Sequence, residues 1–251
     1  IEVDYQDYTN QFYLETQFKQ IFSFGLGAEH KYLKISTETL GNLAEPGNPN
    51  GTFEKSSYYS AFGYLKLDSF DNKYFPTKGV FFDGDFHLYL FSSDYNNNFR
   101  EFSIAKGAVG YVFSPFNKFT TRVSTETGFR IGQKGPNSLD FFLGGYGNDF
   151  INNFIPFYGY DFISISGDSY IKGMLELDYE IFRNNHIVAS ANFANVENGL
   201  FSTGNWLSSP DYSGYALGYG LETFFGPIEI KYSYSPEIKS NEWFFSVGFW
   251  F

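Results

Sequence analysis

Cysteine is missing from all 251 residues. No disulfide framework can form, and no thiolate metal site or catalytic thiol is available; an oxidising compartment fits such a composition. Methionine occurs once. Basic residues are scarce, with 17 Lys and Arg against 28 Asp and Glu, for a formal net charge of −11. Nucleic acid is a poor partner for such a chain, because phosphate binding requires clustered cations. Long apolar runs are lacking too. No stretch reaches the roughly 18 residues that a membrane-crossing helix needs, and the mean hydropathy is −0.28. The chain opens on Ile1, which is not a start residue; the expectation is a processed, trimmed or partial chain.

Aromatics are abundant instead, with 33 Phe and 21 Tyr, and there are 26 Gly. The chain stops on EWFFSVGFWF. In an extended strand, Trp243, Phe245, Val247, Phe249 and Phe251 share one face, while Phe244, Ser246, Gly248 and Trp250 share the other. A wholly apolar face that ends on an aromatic is unusual against water and ordinary against lipid.

The same period of two recurs. Ile228, Ile230, Tyr232 and Tyr234 alternate with Glu229, Lys231, Ser233 and Ser235. Similar alternation fills 80–90, 119–131 and 171–182, with weaker versions near 10–19, 22–36, 57–68, 102–113, 186–196 and 214–225. The reading is about eleven strands, many with the roughly 9–11 residues that cross a bilayer at a tilt. Connections alternate between short ones (about 19–21, 69–78, 114–117, 183–185, 226–227) and longer or more polar ones (about 37–56, 92–100, 132–169, 197–213, 235–241). Short turns at one end and long loops at the other, with apolar and polar faces alternating along each strand, are the pattern of an outer-membrane barrel. The expected fold is therefore all-β, one antiparallel transmembrane barrel domain over 1–251 with a long extracellular loop at 132–169. An odd strand count leaves two solutions. Either a strand hides elsewhere, as in IEVDY at the start, or further strands come from outside the chain, since an open sheet edge in lipid is costly.

Two motifs stand out. In 67–86 the string Asp71, Phe75, Pro76, Thr77 and Gly79 resembles the D…FPT.G turn of the BamA-like superfamily, which includes outer-membrane insertases and two-partner secretion translocators. The stretch FFLGGYGNDFINNFIPFYGYDF, 141–162, resembles the opening of that superfamily's long sixth loop, with Gly144 and Gly145 as its paired glycines. The resemblance covers roughly 57–251 and implies a loop that folds back into the barrel. It also implies a barrel of about sixteen strands, of which this chain would hold the last eleven or so. One departure is clear. The loop tip of the superfamily reads Val-Arg-Gly-Phe/Tyr, and its Arg pairs with acids of the wall. Here Tyr158 takes the place of that Arg, ahead of Gly159, Tyr160 and Asp161, so the resemblance does not carry the ion pair into this chain. The altered tip is more like barrels fused to patatin-like phospholipases, which implies a translocator or membrane anchor for an upstream lipase.

Catalytic and metal readings are weak. A patatin-type lipase requires a G-x-S-x-G elbow, and none occurs; SGDS at 166–169 is a loop. The chain itself is not expected to be an enzyme. Asp83, Asp85 and His87 share a strand face, as do Glu176, Asp178 and Glu180. A metal or Ca²⁺ site competes there with a polar lumen wall, and the wall is the simpler reading, with Arg122 and Arg130 as inward countercharges. No cofactor is expected. The partners expected are outer-membrane lipids, the barrel-assembly machinery through the C-terminal strand, and further outer-membrane or periplasmic subunits. The rival readings are an insertase, a complete small passive channel and an integral enzyme with catalytic residues at the rim.

Overall fold

The computed structural model describes residues 2–38, 50–93, 99–133, 135–147 and 153–248. Eleven strands form one antiparallel meander. In chain order they are β1 (Glu2–Phe18), β2 (Phe22–Glu38), β3 (Asn50–Asp68), β4 (Gly79–Ser92), β5 (Phe102–Phe116) and β6 (Phe119–Gly132). The meander resumes with β10 (Ser169–Phe182), β11 (Asn185–Glu197), β12 (Tyr212–Thr223), β13 (Gly226–Ser235) and β14 (Ser240–Val247). Each strand pairs with its predecessor in the series, β10 closing directly on β6. The segment between those two folds by itself into a small sheet of β7 (Phe141–Leu143), β8 (Phe154–Ile155) and β9 (Ile165–Gly167).

All eleven strands expected from periodicity are present, and IEVDY is not a twelfth. Residues from Glu2 onward are the first half of β1, in continuous register with β2 from Glu2↔Glu38 to Phe18↔Phe22. Polar residues at 4, 6, 7 and 10 blur the alternation there. Loop length also sorts less cleanly than expected. The connection at 236–239 has only four residues, whereas the nominally short one at 69–78 has ten, because it does more than reverse the chain.

One face of the meander is apolar and exposed throughout, as Phe12 (78 %), Leu217 (60 %), Trp243 (71 %) and Phe245 (67 %) illustrate. Alternate residues on the same strands are buried, among them Lys231, Ser233 and Ser235 on β13 and Asn192 on β11. The sheet curls around that inner face. Asp7 of β1, Asp85 of β4, Glu126 of β6 and Tyr170 of β10 all line one cavity of about 1000 Å³. The core lies on the same concave side, next to that cavity. Leu139, Phe141, Leu143, Ile155, Phe157, Tyr160 and Ile165, all between β6 and β10, pack on the inward residues Leu33, Tyr58, Tyr89, Phe102, Ile104, Tyr170, Ala194 and Val196. An apolar interior built by a returning loop removes that apolar surface from water while the outer face stays free for lipid. Among the described residues β1 pairs only with β2, and β14 only with β13.

Candidate functional site

The returning segment starts at Arg130 near the end of β6. Its guanidinium donates to Asp140 Oδ1 at 2.5 Å and to the carbonyls of Pro136 and Gly135, and it lies over the Phe102 ring. Arg130 therefore fastens the base of the loop and does not neutralise the β10 acids, contrary to expectation. Lys172 of β10 is a second fastening, donating to Glu126 Oε1 at 2.5 Å and to the Pro156 carbonyl at 2.7 Å.

The two ends of the loop motif meet. The Gly145 N–H donates to the Tyr160 carbonyl at 2.7 Å, and the Phe157 N–H to the Gly145 carbonyl at 2.9 Å. Gly144, at φ +128°, lies against the Asp161 carbonyl, and the Asp161 carboxylate accepts from the Phe162 N–H at 2.7 Å. Gly159 sits at φ +81°, and a Cβ there would be 2.6 Å from the Ser235 nitrogen and the Tyr234 carbonyl carbon. The tip therefore touches the backbone of β13 directly, which only glycine permits.

Tyr158 points into the wall. Its N–H donates to Asn192 Oδ1 at 2.8 Å, and its carbonyl occupies the space above Gly214 of β12. Its ring stacks on Tyr146 at 5.2 Å and 15°. Lys231 of β13 donates to Tyr146 Oη at 3.1 Å and to Tyr158 Oη at 3.3 Å, with its Nζ 4.6 Å from the Tyr146 ring centre. Burial pushes the Tyr158 phenol well above its ordinary pKa, against the opposing pull of the Lys231 charge. The phenol is neutral and accepts. Further out, the Tyr160 hydroxyl donates to Glu237 Oε2 at 3.3 Å, and Ser213 and Ser235 donate to the same carboxylate at 2.6 and 2.8 Å. Burial would raise the Glu237 pKa, but the two serine hydroxyls and backbone N–H donors outweigh it and hold it below the usual range.

The other motif closes the opposite end. Asp71 accepts from the Thr77 N–H at 2.8 Å, the Thr77 hydroxyl at 2.5 Å and the Lys78 N–H at 3.2 Å. Gly79, at φ +128°, leaves room for the Ser69 carbonyl, 2.6 Å from where a Cβ would stand. So braced, the turn carries Phe75 and Pro76 inward. Phe75 stacks on His186 of β11 at 4.1 Å and 15° and sits above Gly220 of β12. Asn72 donates to Glu222 across the mouth at 2.8 Å. The turn thus spans the lumen from β3–β4 to β11–β12.

The acidic stripes are dispersed. Asp83 pairs with Lys66 at 3.4 Å, while His87 lies between Asp85 at 3.0 Å and Glu29 at 3.5 Å. Asp178 faces His186 at 2.9 Å, and Glu176 accepts from Ser190 at 3.2 Å. Arg122 stands opposite Glu176 in register, with its guanidinium over the Phe70 and Phe81 rings. Among the described residues no three His or carboxylate groups converge on a metal position. Of the C-terminal residues, Trp243, Phe245 and Val247 face outward; Phe249 and Phe251 lie outside the described residues. Sequence reasoning missed Lys231, Tyr146, Asn192, Glu237 and His186 as partners. One signal was available, for Lys231 is the only cation between Arg183 and Lys239.

No curated protein matches the chain. Among solved structures it is similar to the crystal structure of BamA from Haemophilus ducreyi lacking POTRA domains 1–3. The TM-score is 0.71 at 14 % identity, over 97 % of this chain and 54 % of that one. The chain thus spans about half the length of that relative, and the shared feature is the antiparallel barrel fold. A family model described as the OMP85 superfamily matches residues 1–251. A barrel wall with a lipid-type outer face and an inward-returning loop, matched by that model along its whole length, belongs to the OMP85 superfamily.

Proposed function

We propose that this chain is the membrane-embedded part of an outer-membrane translocator or anchor, and that its activity is mechanical, not catalytic. One observation supports this above the others. Described residues of the returning segment, from Leu139 to Ile165, pack into the inner space from one end and the 69–78 turn crosses it at the other, so the resting path is obstructed at both ends around a remaining cavity of about 1000 Å³. A passive channel requires an open path, and an enzyme requires converging reactive groups. Occlusion by a docked loop suits a wall that opens for a passenger. The altered tip at Tyr158 supports the branch that carries an upstream patatin-like lipase. A BamA-type insertase is the alternative, and it requires periplasmic repeats upstream in place of a lipase. Outer-membrane lipids and, through β14, the assembly machinery are the proposed partners.

Planar-bilayer recording on the protein extracted from its own membrane tests the occluded state. The expected trace is a quiet bilayer with brief openings, and shortening the loop between Gly145 and Tyr160 converts it to steady conductance. Steady conductance of the unaltered protein would instead support a passive channel. The intact mass and sequence of the same extract, compared with those of this chain, show whether an upstream domain accompanies the barrel and, if so, whether it is a lipase or a set of repeats.

A further inference from the structure

We infer that the turn end of this barrel carries a binding rim for anionic phospholipid headgroups, built from paired phenylalanines and cations at its tight turns. The inference rests on the membrane placement proposed above. Three of the tight turns repeat one arrangement. Phe18 is followed by Lys19, Phe116 by Lys118 after one residue, and Phe182 by Arg183. The phenylalanines are 65 %, 72 % and 70 % exposed, at the ends of β1, β5 and β10. These strands run in the same direction, so the three pairs lie at one end. Hydrogen bonds link neighbouring turns, with the Ser114 hydroxyl donating to the Thr77 carbonyl at 2.8 Å between the β5–β6 and β3–β4 connections and backbone bonds joining the others. Asp68 N–H donates to the Ile21 carbonyl at 2.8 Å, Glu180 N–H to Lys118 at 2.9 Å, and Glu222 N–H to Asn184 at 2.9 Å.

Charge decides what the rim fits. The carboxylates flanking these turns are engaged locally and keep their charge: Asp68 accepts from the Phe70 N–H, Asp71 from Thr77, Glu180 from the Asn184 N–H and Glu222 from Asn72, while Asp83 is ion-paired with Lys66. None of the ion pairs among the described residues involves Lys19, Lys118 or Arg183. The described connections at the opposite end carry acids such as Asp161, Asp168, Asp211 and Glu237 against Arg100 and Lys239. On a chain of net charge −11, the turn residues themselves carry Lys19, Lys73, Lys78, Lys118 and Arg183 against Asp71, a local reversal of sign beside three exposed rings, with Lys19 Nζ 5.6 Å from the centre of the Phe18 ring. An aromatic ring settles at headgroup depth, and an adjacent cation then reaches a lipid phosphate. Zwitterionic headgroups offer a phosphate already balanced by an amine, so the rim favours lipids with net negative charge.

Native mass spectrometry of the membrane-extracted protein, released from bilayers of equal parts phosphatidylcholine and phosphatidylglycerol, reads the preference directly. The unaltered protein is expected to retain phosphatidylglycerol in excess. The triple variant Lys19→Gln, Lys118→Gln, Arg183→Gln should lose about fivefold of that excess per cation removed. The turns tolerate the change, since Gln20 already sits at φ +58° beside Lys19 at φ +53°. Lys239→Gln, at the other end, should leave the excess intact. Equal retention of both lipids by the unaltered protein, or an excess that survives the triple variant, would overturn the rim. Failure to enter bilayers of either composition, read as full digestion of the strands by protease, would instead overturn the membrane placement, and the rim with it.

Discussion

Lys231 and Tyr158 hold the loop to the wall with the polarity of the superfamily's lock reversed: the cation stands on the barrel strand and the loop offers a neutral phenol, 3.3 Å away. A loop arginine would meet wall acids. A loop tyrosine, backed by Tyr146, meets a wall lysine by hydrogen bond and by cation–π attraction.

Restoring the superfamily's arginine should therefore harm this protein. Tyr158→Arg places a second cation beside a buried one. Lys231→Met removes the donor to the buried Tyr158 phenol, at about 1–3 kcal/mol for a buried polar group that loses its partner. Each single change should raise hydrogen exchange at 153–168. The double change Tyr158→Arg with Lys231→Glu should lower it again, since the pair is then an ion pair of the ordinary sense. A double-mutant cycle on exchange free energies measures the coupling. Additive effects would show that the two side chains do not act as a pair.

Gly159 makes an independent demand on the same contact. Its φ of +81° and the 2.6 Å approach to Ser235 N and Tyr234 C leave no volume for a methyl group. Gly159→Ala should detach the tip at a cost of about 1–3 kcal/mol while the eleven-stranded sheet persists. The expected signature is faster protease cleavage within 153–163 and an unchanged far-ultraviolet spectrum. A tip as resistant as before would mean that β13 can move aside.

The strands were legible because a membrane wall imposes one rule on every residue, apolar outward and small or polar inward, and a period of two survives in plain sequence. β1 was legible only in its second half, since Asp4, Gln6, Asp7 and Asn10 interrupt the pattern. The loop motif could be located by its resemblance to the superfamily's sixth loop, through Gly144, Gly145 and Gly159, all three of which stand at positive φ in the structure. Its partners could not. Lys231 reads as one polar residue among four on β13, and His186 as the start of a strand. Each acquires meaning only when chain closure brings a remote segment against it: Tyr158, 73 residues away, for Lys231, and Phe75 for His186. Acidic stripes misled in the opposite direction. Asp83, Asp85 and His87 look like a cluster along the strand, yet each finds a partner on the neighbouring strand or on its own.

Phe75 is expected to be the stopper of the turn end. Its ring is buried between His186 and Gly220. Phe75→Ala removes that ring, with a stability cost of about 3–5 kcal/mol for a fully packed phenylalanine and less where the site opens to water. Bilayer conductance should rise in the variant, and it should rise further when the loop tip is also shortened, because the two obstructions lie in series. Filling the space from the wall tests the same contact. Gly220→Val should expel the ring and give the same conductance as Phe75→Ala. No change in either variant would show that the turn does not limit the path.

Acid should loosen that turn before it affects the wall. Burial by itself would raise the Asp71 pKa, but the Thr77 hydroxyl and the N–H groups of Thr77 and Lys78 stabilise the carboxylate and depress it below the ordinary value. A depressed carboxylate stabilises the folded turn fully above its unfolded pKa, and the contribution disappears as the pH falls through the folded one. The Asp71 contribution should therefore be constant between neutral pH and about pH 5, and should be lost progressively below about pH 4. Asp71→Asn removes the charge, so its turn should be looser at neutral pH and nearly flat with acidification. Amide chemical shifts of Thr77 and Lys78, whose N–H groups donate to Asp71, follow both curves. A wild-type turn that opens with rising pH within the range below about pH 5 would contradict the sign of the Asp71 shift, and parallel curves for the two proteins there would remove Asp71 as its cause.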